Sequence, residues 1–72
     1  MDPLVSDVLV AIRHRDWGEA KGLLHPYLHW TGANGQTRRG RNNVLAYLAT
    51  TPPSSPPSRF EKRDGQIYRW IE

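Results

Sequence analysis

The sequence predicts an α+β fold in which N-terminal helices and one central helix pack on a curved, mainly antiparallel sheet. Three observations lead to this prediction. Apolar residues recur at helical spacing near the start of the chain and again after its midpoint. Short alternating segments flank the turn-forming pairs Asn34-Gly35 and Asp64-Gly65. A proline-rich stretch separates the second helical pattern from the last pair of strands.

Length and composition limit what the chain can do. With 72 residues and no cysteine, we expect one small domain, 1–72, without a disulfide framework or a thiolate metal site. The start carries no cationic leader and no apolar run approaches about 18 residues, so we expect a soluble cytoplasmic protein and no membrane contact. A formal net charge of +3 permits an anionic partner without demonstrating one.

Two helices are predicted at the N-terminus. Asp2 is a good N-cap and Pro3 suits the first helical position. One stripe of the first helix is apolar and consists of Leu4, Val5, Val8, Leu9 and Ile12. Asp16 and Glu19 form a predicted capping box that starts a second helix after a break near Arg15. Its buried side would comprise Trp17, Ala20, Leu23 and Leu24.

The middle of the chain predicts a strand, a turn, a strand and a helix. In a strand over residues 27–30, Leu28 and Trp30 share one face while Tyr27 and His29 share the other. Residues 36–39 form the polar partner strand, and a helix follows over residues 41–49. The apolar side of that helix is predicted to be Val44, Leu45, Tyr47 and Leu48, with Gly40 or Asn42 as its cap.

The last part of the chain predicts a connector and a hairpin. Residues 51–58, with four prolines, can form neither a helix nor a central strand and are interpreted as a semi-rigid connector. Residues 59–63 and 66–72 form the hairpin. Strict alternation would place Tyr68 and Trp70 on the face opposite Ile67, Arg69 and Ile71, so both faces of the last strand are apolar. We expect a second copy to cover one face, with Tyr68 and Trp70 in the dimer interface.

Four segments in this order resemble the nuclear transport factor 2-like superfamily, in particular its SnoaL-like polyketide-cyclase branch. The segments are Asp16-Trp17 with Leu23-Leu24-His25-Pro26, then Leu28-His29-Trp30, then Arg39-Gly40-Arg41 with Val44-Leu45-Ala46-Tyr47-Leu48, and finally Arg63-Asp64-Gly65-Gln66-Ile67 with Arg69-Trp70. The resemblance implies a cone-shaped fold and a sheet whose outer face is a common dimer surface. It does not specify an activity, because this fold supports enzymes and plain binding domains.

The chain departs from that family in two ways. The connector over residues 51–58 stands where family members carry another pair of long strands, so the resemblance implies a shallow or open pocket. Tyr27 stands just after the His-Pro pair, where the family often has an acidic residue. Both departures favour a binding domain over an enzyme.

Three sets of residues are candidates for function. A pocket for a small apolar ligand would use Trp17, Leu28, Trp30 and Tyr47, although ordinary core packing also explains these side chains. A reduced cyclase or isomerase would use His29 as general base, assisted by Tyr47 or Arg69. An anion or nucleic-acid site would use Arg38, Arg39 and Arg41, joined by Arg59, Lys62 and Arg63.

The sequence favours the first of these sets. We expect a non-catalytic, homodimeric domain that binds a small apolar ligand or a protein partner, with no cofactor. His25 and His29 are four residues apart, yet in a strand they would lie about 13 Å apart, too far to share a metal. The enzyme and the anion binder remain alternatives.

Overall fold

The computed structural model describes residues 2–53 and 55–72, so Met1 and Ser54 lie outside the described residues and Ser54 leaves a gap in the predicted connector. The elements in chain order are α1 (Pro3–Arg13), α2 (Trp17–Leu23), β1 (Leu24–Thr31), β2 (Thr37–Arg39), α3 (Arg41–Thr50), β3 (Arg59–Arg63) and β4 (Gln66–Ile71). Every predicted helix and strand is present. In this part of the chain, no helix is both long and apolar enough to cross a membrane.

The two N-terminal helices are separate. The Asp2 carboxylate accepts a hydrogen bond from the Leu4 N–H at 2.8 Å, which confirms the predicted cap of α1. After α1 the backbone of Arg15 turns into the left-handed region, at a φ of 55°. The N–H of Arg15 donates to the Ile12 carbonyl and that of Asp16 to the Ala11 carbonyl, which is the Schellman pattern. This pattern ends α1 and redirects the chain into α2.

The predicted capping box of α2 is only half formed. The Asp16 carboxylate accepts from the Glu19 N–H at 3.2 Å, as predicted. The N–H of Asp16 donates to the Ala11 carbonyl at 2.8 Å instead of to the Glu19 side chain. Because the Asp16 N–H is already bonded in the Schellman turn, the predicted hydrogen bond from this N–H to the Glu19 side chain is wrong.

The sheet is mixed, with strand order β2-β1-β4-β3. β1 pairs antiparallel with β2, and β4 pairs antiparallel with β3. The central pair, β1 and β4, is parallel. The last strand therefore pairs with the first strand of its own chain, and the three helices packed on this sheet confirm the predicted α+β class.

A bulge changes which residues of β4 share a face. Lys62 pairs with Ile67 whereas Glu61 pairs with Arg69, so Tyr68 is an extra residue in the ladder. Ile67 and Trp70 are consequently both fully buried in the core, where strict alternation would have separated them. The predicted alternation of β4 is therefore wrong, and Tyr68 and Trp70 do not share a face.

The core lies between the helices and one face of the sheet. Its largest side chains, Trp30 and Trp70, stack with ring centroids 4.5 Å apart and planes 8° from parallel. The Trp30 indole N–H donates to the Glu72 carboxylate at 2.9 Å. Fully buried neighbours complete this core, namely Val5, Val8, Leu24, Leu28, Val44, Leu48 and Ile67. Trp30, which was expected to line a shallow or open pocket, is thus a core side chain.

The turns form where the sequence predicted them. Gly35 has a φ of 83°, and the Asn34 side chain accepts from the Gln36 N–H at 3.0 Å. Asp64 and Gly65 have φ values of 55° and 76°, as a two-residue hairpin turn with positive φ at both positions requires. Gly40, at a φ of 89°, precedes α3, so it rather than Asn42 takes the cap position.

Candidate ligand-binding groove

An apolar groove runs between the helices and the connector, with a volume of about 400 Å³. We name it the helix–connector groove. Its helical wall consists of Leu9, Ile12, Arg13, Arg15, Trp17 and Leu48, and its other wall consists of Pro52, Pro53, Ser55 and Pro56. This volume lies within the range of about 300–1,000 Å³ that is usual for small-molecule sites.

Apolar side chains contribute to both walls of the groove. Ile12 of α1 and Leu48 of α3 belong to the core, with exposed fractions of 3% and 1%. Leu9 and Trp17 are half-buried and pack against that core. The opposite wall contributes three proline rings, which are apolar and carry no N–H group. A flat apolar molecule would find contact on both sides.

Positive charge borders the groove. Arg13, in the last turn of α1, and Arg15, in the turn that follows it, are both exposed. One N–H of the Arg15 guanidinium donates to the Ala49 carbonyl at 3.2 Å, which ties the end of α1 to the end of α3. Within the described chain, the residues lining this groove include no aspartate or glutamate. The groove therefore combines apolar walls with a cationic edge.

The four residues predicted to form a pocket do not come together. Trp17 lines the helix–connector groove. Leu28 and Trp30 are fully buried and have no surface to offer a ligand. Tyr47 borders a second, shallow concavity, where the Arg38 guanidinium lies 3.9 Å from the centroid of its ring. The prediction placed the cavity inside the cone, and the tryptophan stack occupies that space.

The predicted enzyme residues lie on two sides of the sheet. His29 contacts the Tyr68 ring edge-on, with centroids 5.5 Å apart, on the sheet face opposite the helices. Arg69 is the cross-strand neighbour of His29 and lies 3.6 Å from the Glu61 carboxylate. Tyr47, on α3, belongs to the helical side. Tyr47 therefore does not meet His29 at one substrate position, whereas Arg69 lies beside His29 but is paired with Glu61.

The outer face of the sheet holds an aromatic cluster instead. The ring of Tyr68 contacts both His25 and His29 edge-on, and the Arg63 guanidinium lies 4.0 Å from its centroid. His25 also lies 3.8 Å from the Asp64 carboxylate. Across residues 2–53 and 55–72, no three histidine or acidic side chains are grouped so that they would hold a metal ion.

The residues predicted to form a dimer interface also separate. Tyr68 is half-buried on the outer face. Trp70 has no exposed surface, because its indole stacks on Trp30 beneath the helices. An interface on the outer face would therefore use Tyr68 without Trp70. Tyr27, which is 74% exposed, is the larger aromatic surface available there.

The arginines at positions 38, 39 and 41 have different contacts and do not form one cluster. Arg38 covers Tyr47, and Arg39 is exposed beside it at the same shallow concavity. Arg41 instead donates to the carbonyls of Lys21 and Leu24, at 3.3 Å and 3.4 Å, where α2 passes into β1. The predicted anion site therefore loses Arg41 to a structural role.

The additional basic residues predicted for an anion site also have protein partners. Lys62 lies 3.0 Å from the Asp2 carboxylate, and this hydrogen bond lowers the pKa of Asp2 below its ordinary value. Arg63 covers Tyr68. Arg59 is exposed at the start of β3. All three positions lie on β3, the edge strand farthest from β2, so they do not extend the shallow concavity at Arg38.

Sequence reasoning missed most of the helix–connector groove. It identified Trp17 but assigned Leu9, Ile12 and Leu48 to the core alone. It assigned no role to Arg13, and it used Arg15 only to place the break between the two helices. The signal that was available is the pair of arginines at a helix end close to Trp17. No local pattern indicates that the connector prolines lie against α1.

Comparison with known proteins identifies the fold. The chain superimposes on the crystal structure of a putative ketosteroid isomerase from Kribbella flavida DSM 17836 with a TM-score of 0.72. The identity is 17%, and the match covers 96% of this chain and 76% of that one. No protein-family model matches the chain, and no curated protein matches its sequence. At this identity the likeness concerns the fold alone, which in this chain consists of helices packed on a mixed sheet.

Proposed function

For a chain with the nuclear transport factor 2-like fold, we propose a non-catalytic role in binding a small apolar ligand in the helix–connector groove. The observation that supports this proposal is the groove itself, with about 400 Å³ between apolar walls and a half-buried Trp17 at one end. Tryptophan contributes a large apolar surface and a donor N–H, and it is common in ligand sites. The groove borders the core through Ile12 and Leu48, and it does not include the Trp30–Trp70 stack.

A binding role is favoured over catalysis by the placement of the titratable groups. His29, the best candidate for a general base, lies on the outer face of the sheet and contacts Tyr68. The only ionisable side chains among the described residues that line the helix–connector groove are two arginines, whose guanidinium groups donate hydrogen bonds and have no acceptor atom. An isomerase-like reaction would need a base beside the substrate.

Titration with an uncharged fluorescent probe tests this proposal. N-phenyl-1-naphthylamine brightens when it enters an apolar site, so we expect saturable fluorescence with the native chain. Trp17→Ala should weaken binding, since one wall of the groove is lost. Tyr68→Ala is the matched control, because it removes an aromatic side chain from the opposite face of the sheet. Circular dichroism verifies that both variants are folded.

Two results would contradict the proposed site. One is the absence of saturable binding to the native chain. The other is equal affinity for the native and Trp17→Ala proteins together with a loss of affinity in Tyr68→Ala. The second result would move the ligand to the outer face.

We also propose that two copies associate through the outer face of the sheet. Tyr27, 74% exposed, and Tyr68 supply apolar surface there. The same face carries the Arg69–Glu61 pair, so both charge signs are present for a self-complementary contact. Light scattering should give twice the 8.3 kDa chain mass, and Tyr27→Ser should return the single mass. A single-chain mass for the native protein at micromolar concentration would contradict the dimer.

Three further expectations from the sequence stay predictions. They are membership of the SnoaL-like branch, organisation as one domain over residues 1–72, and a cytoplasmic location.

A further inference from the structure

We infer that the ligand of the helix–connector groove is an organic acid, with an apolar body and one anionic group that Arg13 and Arg15 hold. This inference rests on the proposed binding function and adds the chemical class of the ligand. Three observations support it: the conformation of Arg15, the unused donors of the two arginines, and the distribution of acidic residues around α1.

The backbone of Arg15 occupies a position that usually belongs to glycine. In the Schellman turn after α1, Arg15 is the residue with positive φ, at 55°. A side chain costs free energy in this left-handed conformation, and glycine does not incur that cost. The chain nevertheless has arginine here, and the turn directs that arginine to the edge of the groove. Strain of this kind is often found where a side chain has a function.

The structural use of Arg15 leaves most of its donors free for a ligand. A guanidinium has five N–H groups, and that of Arg15 makes one hydrogen bond among the described residues, to the Ala49 carbonyl. Arg13 makes no side-chain hydrogen bond or ion pair within residues 2–53 and 55–72. Two guanidinium groups in the lining of one groove are suited to a carboxylate, which accepts paired hydrogen bonds from arginine.

Charges are segregated around the end of α1. The acidic side chains Asp7, Asp16 and Glu19 border a different concavity, formed between α1 and α2. Both arginines line the helix–connector groove, where none of these carboxylates does. An anionic ligand group would therefore meet positive charge without a competing carboxylate on the groove wall. The groove is therefore complementary to a ligand that has one anionic group and an apolar body. The arginines would bind the anionic group, and Trp17 and the prolines would contact the apolar body.

A matched pair of compounds tests the inference. 1-Naphthylacetate, the carboxylate of 1-naphthaleneacetic acid, and its primary amide, 1-naphthylacetamide, share the apolar body and differ in charge. By isothermal titration calorimetry, we expect the native chain to bind the acid about tenfold more tightly than the amide, a difference of about 1.4 kcal/mol. Arg13→Gln and Arg15→Gly should each weaken binding of the acid more than binding of the amide, and so reduce this preference. Added salt should reduce the preference as well.

The variants are chosen so that unfolding does not imitate loss of binding. Arg15→Gly removes the guanidinium and relieves the positive φ, so its Cm in urea should be no more than slightly below that of the native chain. Arg13→Gln leaves the turn intact and gives an independent measurement. Arg39→Gln is the charge-matched control, since Arg39 is exposed at the other concavity, and it should keep the native preference for the acid.

The outcomes separate the two proposals. If the acid and the amide bind equally well, or if Arg39→Gln reduces the preference as much as Arg13→Gln does, the inference about the anion is wrong and the groove remains a site for apolar ligands. If neither compound binds, the proposed function fails and the inference fails with it. A preference for the acid that disappears in both groove variants and persists in Arg39→Gln supports both.

Discussion

Replacing Trp30 with phenylalanine should destabilise the protein strongly without weakening ligand binding. Trp30 has no exposed surface, and a buried aromatic side chain of its size removes about 150–250 Å² from water. At about 25 cal/mol/Å², burial of the whole indole contributes roughly 4–6 kcal/mol. Replacing the indole with the smaller phenyl ring loses about 1–2 kcal/mol of this contribution.

The hydrogen bond of Trp30 adds to this cost. Its indole N–H donates to the partly buried Glu72 carboxylate at 2.9 Å, and such a bond contributes about 1 kcal/mol. The total loss is therefore about 2–3 kcal/mol. A chain of 72 residues has a free energy of unfolding of roughly 4–11 kcal/mol, so the variant should fold but with much less stability.

Urea unfolding followed by circular dichroism measures this loss. For a small domain with an m value of about 1 kcal/mol/M, the midpoint should fall by about 2–3 M. Glu72→Ala removes the acceptor and leaves the buried N–H without a partner, so it should cost about 1–3 kcal/mol alone and much less in the Trp30→Phe background. A midpoint shift below about 0.5 M in Trp30→Phe, together with weaker binding of N-phenyl-1-naphthylamine, would refute the assignment of Trp30 to the core.

Two glycine substitutions and one pH titration give further tests. Gly65→Ala should cost about 1 kcal/mol in urea unfolding, because a Cβ is strained at a φ of 76°, whereas Gly22→Ala should be neutral or stabilise α2 by about 0.5 kcal/mol, since nothing lies within 4 Å of its Cβ position. A loss in Gly22→Ala equal to that in Gly65→Ala would contradict this reasoning. Lys62 lowers the pKa of Asp2 in the folded state, so this contribution is complete above the unfolded value near 3.8 and is lost as the pH falls through the folded pKa. Lys62→Met should therefore lower the midpoint of urea unfolding at pH 7, whereas at a pH below the folded pKa of Asp2 its midpoint should equal that of the native chain. A difference between the two midpoints that stays constant at all pH values would contradict this reasoning.

The elements of the fold could be predicted because their signals are local. Asp2 and Asp16 accept hydrogen bonds from N–H groups two and three residues away, and Asp64-Gly65 supplies two positive φ angles in succession. The burial of Leu28 and Trp30 follows from the alternation of a regular strand. These features depend on near neighbours in the sequence.

The bulge in β4 could not be predicted in this way. Alternation assumes one residue of β4 for each residue of β3, and nothing near Tyr68 marks it as the extra residue. The prediction therefore put Trp70 on the outer face, while the structure puts it against Trp30 in the core. The dimer that the sequence implied through Trp70 now depends on Tyr27 and Tyr68.

The candidate site could be predicted only in part, for a similar reason. Trp17 was predicted as one of several aromatic side chains that could give a pocket its apolar walls. The groove itself depends on the path of the connector, which brings Pro52 and Pro56 against α1, although about forty residues of chain separate them. The role proposed for Arg15 depends on the turn that directs its side chain, and the sequence indicated only a break there.

The most direct test of the proposed site is to map, by amide and indole chemical shifts, where 1-naphthylacetate binds the native chain. We predict that the largest shifts occur at the indole of Trp17 and at the amides of Leu9, Arg15 and Leu48, while the indole of Trp30 is little changed. The largest shifts at His29 and Tyr68, with the Trp17 indole unaffected, would contradict the account.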